Sequence, residues 1–321
     1  MRRIGVLSSG GDTPGMNAAI RAVVQTGLAL EMEVYGIRHG FRGLLEGDIH
    51  LLTSEEVRNI NYKGGTILKT SRCKEFETEA GQKKAVEMIA AYELDGIVVI
   101  GGDGSMRGAA ALCGHGVPTI TLPGTIDNDL AYTDFTIGFD TAVNGVIEEI
   151  VRIRDTMVSH DRIGVVEVMG NHCGDIALYA GLAGSMDFII GPEVGYDLGF
   201  ICDRIMKNRL KGILTSMVIV AEGAAKAGEL AKAIHQQLGV EVKPVVLGYT
   251  QRGGNPTAGD RVLAARLGSH AVRLLQAGKS NLAVGIRGNQ IVSMDIMQAV
   301  ETEKVFDEEL YMLANLLSHA Q

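Results

Sequence analysis

No excess of positive charge runs through this 321-residue chain: 30 Lys and Arg face 38 Asp and Glu, for a net charge of -8. That balance argues against generic affinity for nucleic acid, and no basic tail offers itself to a membrane surface. No apolar run approaches the roughly 20 residues that a membrane-spanning helix needs. No signal-peptide pattern precedes the first strand-like segment. Cys73, Cys113, Cys173 and Cys202 have neither metal-ligand spacing nor a disulfide framework. A reduced, cytoplasmic protein is the expectation. No Pro/Ser-rich linker, short repeat or low-complexity block is present, and the 42 glycines are scattered. The chain is 46% hydrophobic, enough for a sizeable core, and its length favours two domains over one. Without a linker these should be joined by several chain crossings, with the ligand site in a cleft between them.

Two further absences narrow the nucleotide chemistry. There is no G-x-x-x-x-G-K-[ST], which argues against a P-loop ATPase. Gly102-x-Gly104-x-x-x-Gly108 has one residue too many for the dinucleotide fingerprint, carries an internal acid, and lies far from the first strand. Hydride transfer is a poor fit.

What is present is a set of apolar strands that run straight into glycine-rich loops. Val98-Val99-Ile100 leads into Gly101-Gly102-Asp103-Gly104-Ser105, with a helix-like segment from Met106. Ile4-Gly5-Val6-Leu7 leads into Ser8–Asn17, and Thr119-Ile120-Thr121-Leu122 into Pro123–Asp129. Glycine lets the backbone close on a bulky anion, and amides at a helix start point towards it. An acid such as Asp103 belongs among phosphate-binding amides if a divalent cation lies between them, which points to a magnesium nucleotide. Any one of these loops alone reads as a strand-end turn in which glycine relieves strain. Three of them at the carboxyl edge of one parallel sheet form a specific signal.

Strand-like and helix-like runs alternate almost throughout, the pattern of parallel α/β architecture. Strands are expected over 3–7, 33–37, 96–100, 119–122, 163–168, 216–220, 241–247 and 282–287. Helices are expected over 16–30, over 139–156, and from Asn255-Pro256-Thr257 to about Gln276. Asp127 and Asp129 share a loop with Thr125 and Asn128. Residues two apart there need not point the same way, so one acid can face the substrate while the other is held by the backbone. Proton acceptance from a hydroxyl nucleophile is the chemistry they suit, and phosphoryl transfer needs little more than positioning, a metal and cations. Arg72, read alone, is a solvated surface charge; beside these loops it is a phosphate clamp. Arg162, Lys243, Glu222 and the Gln251-Arg252-Gly253-Gly254 turn form a second set suited to a sugar phosphate.

Six segments in order resemble the bacterial ATP-dependent 6-phosphofructokinase family. They are Ser9–Asn17, Gly64-Gly65-Thr66 with Arg72, Gly101–Ser105, Pro123–Asp129, Val168-Met169-Gly170 with Cys173-Gly174-Asp175, and Gln251–Gly254. The resemblance implies two Rossmann-like three-layer domains with parallel-rich sheets and an active site in the interdomain cleft of a homotetramer. An ATP-binding domain is expected over 1–138 with 251–301, and a fructose 6-phosphate-binding domain over 139–250 with 302–321. By similarity, Asp127 takes the proton of the substrate 1-hydroxyl, with Thr125, Asp129 and Arg72 around it. Asp103 holds Mg²⁺. Gly11, Arg72, Cys73, Gly102, Asp103, Gly104, Ser105 and Gly108 contact ATP. Thr125, Ile126, Asp127, Met169, Gly170, Asn171, Glu222, Tyr249, Thr250, Gln251 and Arg252 serve the sugar phosphate, with Arg162 and Lys243 reaching a neighbouring subunit's site.

The chain departs from the family at several of these positions. Many members carry Arg at 171, His at 249 and Arg at 243, where this chain has Asn171, Tyr249 and Lys243. Lys243 keeps charge but loses a bidentate fork. Gly104 and Gly124 stand where the pyrophosphate-using branch resembles Asp and Lys, so ATP is the expected donor. The family's ADP or phosphoenolpyruvate site would use Arg21, Arg154, Ser185 and Lys211. Gln25, Ser54 and Ile213 replace basic residues there and Asp187 replaces a longer Glu, so weak effector control is expected. A sensing protein of the same fold with weakened catalysis, and a kinase acting on NAD or lipid, are the competing readings.

Overall fold

Aliphatic and β-branched runs set the strands. In chain order they are β1 (Arg3–Ser8), β2 (Glu33–Ile37), β3 (Ile49–Leu51), β4 (Gly96–Gly101), β5 (Thr119–Pro123) and β6 (Ile163–Val168). They continue with β7 (Phe188–Ile190), β8 (Ser216–Ala221), β9 (Val242–Val246), β10 (Leu282–Arg287) and β11 (Gln290–Asp295). The structure is a computed structural model that describes residues 1–318. The chain separates into two compact units, Met1–Thr141 with Arg252–Lys304 and Ala142–Gln251 with Val305–Gln321. The last three positions of the expected second domain, 319–321, lie outside the described residues.

The first unit holds a seven-stranded sheet in the order β11-β10-β5-β4-β1-β2-β3. Its five central strands are parallel, and β3 and β11 pair antiparallel at the two edges. Side chains alternate across a strand, and β4 uses both faces. Val98 and Ile100 pack with the Met16–Ala29 and Ala258–Gln276 helices, while Ile97 and Val99 face the opposite core with Leu44, Ile89 and Leu112. Being apolar on both sides, β4 reads as a continuous hydrophobic run, as a central parallel strand should. Each such side chain contributes roughly 1.5–3 kcal/mol on burial. The two helices approach closely at Gly268, where an added Cβ would lie 2.9 Å from the Ala19 carbonyl oxygen. Thr257 caps the second helix by accepting the Asp260 amide at 3.2 Å, a bond worth about 1 kcal/mol. Buried Asp260 accepts from the Gly138 and Thr141 amides at 2.8 Å each, fixing the chain that enters the Phe139–Ser159 helix.

The second unit holds a four-stranded, all-parallel sheet in the order β7-β8-β6-β9. Ile163, Val165, Val218 and Val220 bury one face with Ile201, Ile205, Leu230 and Ile234. The Asp175–Ala183 helix covers the other, where Gly181 lets it close on Ile189 and Ile219. Both units are α/β with parallel-rich sheets. The eight strands expected from sequence are all present. The short β3 and β7 and the antiparallel β11 were not anticipated, since three-residue strands and a mixed polar edge leave little periodic signal. Among the described residues, no helix is long and apolar enough to cross a membrane.

Candidate active site

Three neighbouring parallel strands of the first unit, β1, β4 and β5, end in the three glycine-rich loops. The loops are tied to one another: the Ser9 amide donates to the Ile100 carbonyl and the Gly124 amide to the Gly101 carbonyl, both at 2.9 Å. Gly101 is required by close approach, because a Cβ there would lie 2.3 Å from Ser105 Oγ. The helix after β4 starts at Asp103, not at Met106 as the sequence suggested. Gly102 at its N-cap and Gly104 in its first turn hid the start. Gly102 is the N-cap and no side chain caps the helix, so its first amides are positioned for an anion.

These loops line a cavity of about 790 Å³ that belongs wholly to the first unit. Ser9, Gly11, Gly102, Gly104 and Ser105 supply backbone and hydroxyl groups, Arg72 and Arg252 supply charge, and Asp103, Asp127 and Asp129 supply carboxylates. Arg252 Nη1 donates to the Asp12 carbonyl at 3.3 Å and crosses Gly11 so closely that a Cβ there would lie 2.3 Å from Nη1. Phe41 and Phe76 stack with ring centroids 4.2 Å apart and line the cavity together with Gly108 and Ala111. A Cβ on Gly108 would lie 2.6 Å from the Phe41 ring. A flat aromatic wall beside backbone amides and arginines suits a planar base joined to phosphates.

The acids differ in setting. Asp103 is partly exposed and paired with Arg107 Nε at 2.9 Å. Asp129 is half-buried, and its Oδ1 is closed to solvent with no hydrogen-bond partner. Burial first, and then the charge of Asp127, push its acid up to about 6. The Asp127 amide donates to Thr125 Oγ1 at 3.2 Å. Asp127 and Asp129 both line the cavity. Hard oxygen donors and an unsatisfied buried carboxylate oxygen fit a small divalent cation. Among the described residues no group of three His, Cys, Asp or Glu side chains could hold a metal by itself.

Of the residues singled out from sequence, Gly11, Arg72, Cys73, Gly102, Asp103, Gly104, Ser105, Gly108, Thr125, Asp127, Asp129 and Arg252 meet in this one cavity. Ile126 does not: its side chain is fully buried. The sugar-phosphate set lies in the second unit apart from Thr125, Ile126, Asp127 and Arg252. There Arg162 Nε and Lys243 Nζ share the Glu241 carboxylate at 2.7 and 2.6 Å. Gln251 is buried and accepts the Met169 amide at 3.0 Å, Thr250 donates to the Leu247 carbonyl at 2.8 Å, and Asn171 meets His172 at 3.0 Å. The Glu222 amide donates to the Val168 carbonyl at 2.8 Å, and Gly170 accepts from the Gly223 amide at 3.1 Å. Tyr249 is 84% exposed.

The effector candidates divide between the units. Gln25 donates to Ser54 at 2.9 Å in the first, where Arg21 Nε is buried without a partner. In the second, Arg154 donates to the Ser185 carbonyl at 2.8 Å and Asp187 accepts the Met217 amide at 2.7 Å. Lys211 ends the Leu198–Leu210 helix and Ile213 is exposed. Sequence reasoning missed Glu241, Arg107 and the Phe41–Phe76 pair. Only Arg107 left a signal, one helical turn after Asp103.

Fold and cavity together define a nucleotide-binding α/β protein with a carboxylate cluster at its phosphate-binding loops. The sequence profile described as phosphofructokinase matches residues 3–275. A relative from Clostridium tetani (strain Massachusetts / E88), named ATP-dependent 6-phosphofructokinase, is 56% identical over 319 residues, 99% of this chain and 100% of the relative. One of the same name from Clostridium botulinum (strain Loch Maree / Type A3) is 52% identical over 318 residues, with the same coverage. The solved phosphofructokinase of Saccharomyces cerevisiae superposes with a TM-score of 0.87 at 33% identity over 99% of this chain; the chain spans 47% of the yeast one. A pyrophosphate-dependent phosphofructokinase from Marinobacter aquaeolei has a TM-score of 0.87 at 24% identity, covering 96% of this chain and 86% of that one, a likeness of fold. The chain belongs to the phosphofructokinase family.

Proposed function

We propose that the protein transfers the γ-phosphoryl group of ATP to the 1-hydroxyl of D-fructose 6-phosphate, giving fructose 1,6-bisphosphate and ADP, as a cytoplasmic step of glycolysis. The observation that carries this reading is the single cavity in which glycine-rich strand ends, two arginines and the Asp127–Asp129 pair meet. Asp127 accepts the hydroxyl proton as O1 forms its bond to the γ-phosphorus and the bond from that phosphorus to the β,γ-bridging oxygen breaks. Thr125 fixes the backbone amide of this base. Backbone amides at the start of the Asp103–Gly114 helix cradle the phosphates, with Arg72 and Arg252 offsetting charge on the transferring oxygens. Asp103 would hold a Mg²⁺ ion, which would supply charge neutralisation to the phosphates. Phe41, Phe76 and Gly108 take the base.

In the second unit, Met169 and Glu222 recognise the sugar phosphate, Glu222 accepting from its hydroxyls. Arg162 and Lys243 serve a neighbouring copy in a homotetramer. Asn171, which lacks the charge many relatives carry there, weakens substrate binding without removing the reaction. ADP or phosphoenolpyruvate acts weakly. Asp127→Asn tests the reading: turnover should fall by about 10²–10⁴-fold, the usual cost of losing a general base, while fructose 6-phosphate still binds. Near-normal turnover would remove Asp127 from this role.

A further inference from the structure

Asp127 and Asp129 flank a residue whose conformation is unusual. Asn128 has φ 53°, left-handed backbone in which few side chains are tolerated. Its side chain is buried and doubly held: Nδ2 donates to the Asp134 carbonyl at 3.2 Å, and Oδ1 accepts the Thr136 amide at 3.0 Å. Thr136 Oγ1 then closes the loop on its own start by donating to the Thr125 carbonyl at 2.6 Å. These bonds fix the side chain of Asn128 and the returning limb. The peptide joining Asn128 to Asp129 is held from elsewhere. Lys304 Nζ, 176 residues away in sequence, donates to the Asn128 carbonyl at 2.7 Å. Lys304 follows the Ile296–Glu301 helix and is the last residue of the first unit.

We propose that Lys304 is a positioning residue for phosphoryl transfer: its ammonium on the Asn128 carbonyl locks the turn that keeps Asp127 and Asp129 in one cavity. This rests on the reading of Asp127 as the base. The left-handed turn sets where the two flanking carboxylates go, and a rotation of the 128–129 peptide would carry them away from the phosphate loops. A charge-assisted bond to that carbonyl resists the rotation more strongly than a neutral donor would. Lysine also suits the place electrostatically. Asp103, Asp127 and Asp129 crowd negative charge there, and the ammonium opposes the upward push that burial and Asp127 exert on the Asp129 acid. It does so from the backbone side, bound to a carbonyl.

Steady-state kinetics and thermal melting on full-length Lys304→Met, Lys304→Arg and Asp127→Asn test this. Lys304→Met should lower kcat on the order of 10–100-fold, the scale set by displacing reacting groups by about 1 Å. KM for fructose 6-phosphate and for ATP should stay within about twofold, since neither substrate is bound by Lys304. Lys304→Arg, which keeps a charged donor, should restore most of the loss; a purely structural role would instead show in melting, whatever the charge. If Lys304→Met does not fold, Lys304→Gln replaces it, and its kcat should also fall. Wild-type kcat in the neutral variant, or a loss that Lys304→Arg leaves unrepaired, overturns the proposal. Collapse of turnover in Asp127→Asn beside wild-type kcat in Lys304→Met overturns the positioning role alone. Near-normal turnover in Asp127→Asn overturns the base reading itself, and this proposal with it.

Discussion

In the first unit the candidate phosphate-binding groups are largely backbone: helix-start amides and glycine loops pinned across β1, β4 and β5 by interstrand bonds. In the second, the candidate phosphate-binding groups are surface side chains. Arg162 and Lys243 are spent on a shared Glu241, and Tyr249 is 84% exposed. A site made of backbone exists before its ligand arrives, because hydrogen bonds of the fold already orient it. A site made of long side chains gains its order from what binds there. The first kind gives positioning and the second gives selection.

The sharpest way to break this contrast is to fill the backbone-made site. An added Cβ at Gly104 meets nothing within 4 Å, so Gly104→Asp should fold and melt like the parent. Its carboxylate would face the phosphates, and like charges in such a site cost several kcal/mol, so ATP-dependent turnover should fall by about 10²-fold or more. Parent-like turnover would show that the phosphates pass elsewhere. Gly124 is different: a Cβ there would press on Ile100, the Gly101 amide and Met16 at 3.0–3.2 Å, so Gly124→Lys should also lower the melting temperature.

Asp129 sharpens the same contrast through stability. Its folded-state acid near 6 lies above the ordinary carboxylate value, so the folded protein holds this proton more tightly than the unfolded chain. The stability it lends is complete below about pH 4 and is lost as pH rises through 6. At pH 8, Asp129→Asn should therefore stabilise the protein by on the order of 2–3 kcal/mol, with the gain disappearing towards pH 4. Denaturant melts at both pH values check this, and turnover should fall as stability rises.

The exposed set should respond more gently. Glu241→Gln frees both cations, so KM for fructose 6-phosphate should drop by about 1.5–5-fold, the scale of one exposed ion pair. Stability should change by less than about 0.5 kcal/mol. A rise in KM would mean that Glu241 orients the cations instead of competing for them. The smallest effect is expected from effectors. Gln25 and Ser54 satisfy one another and Ile213 brings no charge. Millimolar phosphoenolpyruvate or ADP should then move half-saturation by less than about twofold, because coupling needs differential contacts in the two states.

The contrast also governs what the sequence could disclose. Backbone-made sites write themselves locally: after an apolar strand, Gly101 is required by close approach and Gly102 leaves the helix start without a side-chain cap. The same holds for strands such as β4, buried on both faces. The Phe41–Phe76 stack was hidden because its partners lie 35 positions apart and neither has a local requirement to be aromatic. The Lys304–Asn128 contact was hidden for the same reason. Ile126 sits between two cavity-lining residues while its own side chain is buried in the core. Glu241 gave no sign because a surface acid is ordinary until the fold sets Arg162 and Lys243 beside it.

Initial rates of the unaltered protein with fructose 6-phosphate and magnesium, with ATP or pyrophosphate as donor, test the central claim most directly. Fructose 1,6-bisphosphate should form with ATP, with little or none formed from pyrophosphate. Efficient turnover with pyrophosphate and none with ATP would contradict the assignment of the first unit's cavity to a nucleotide.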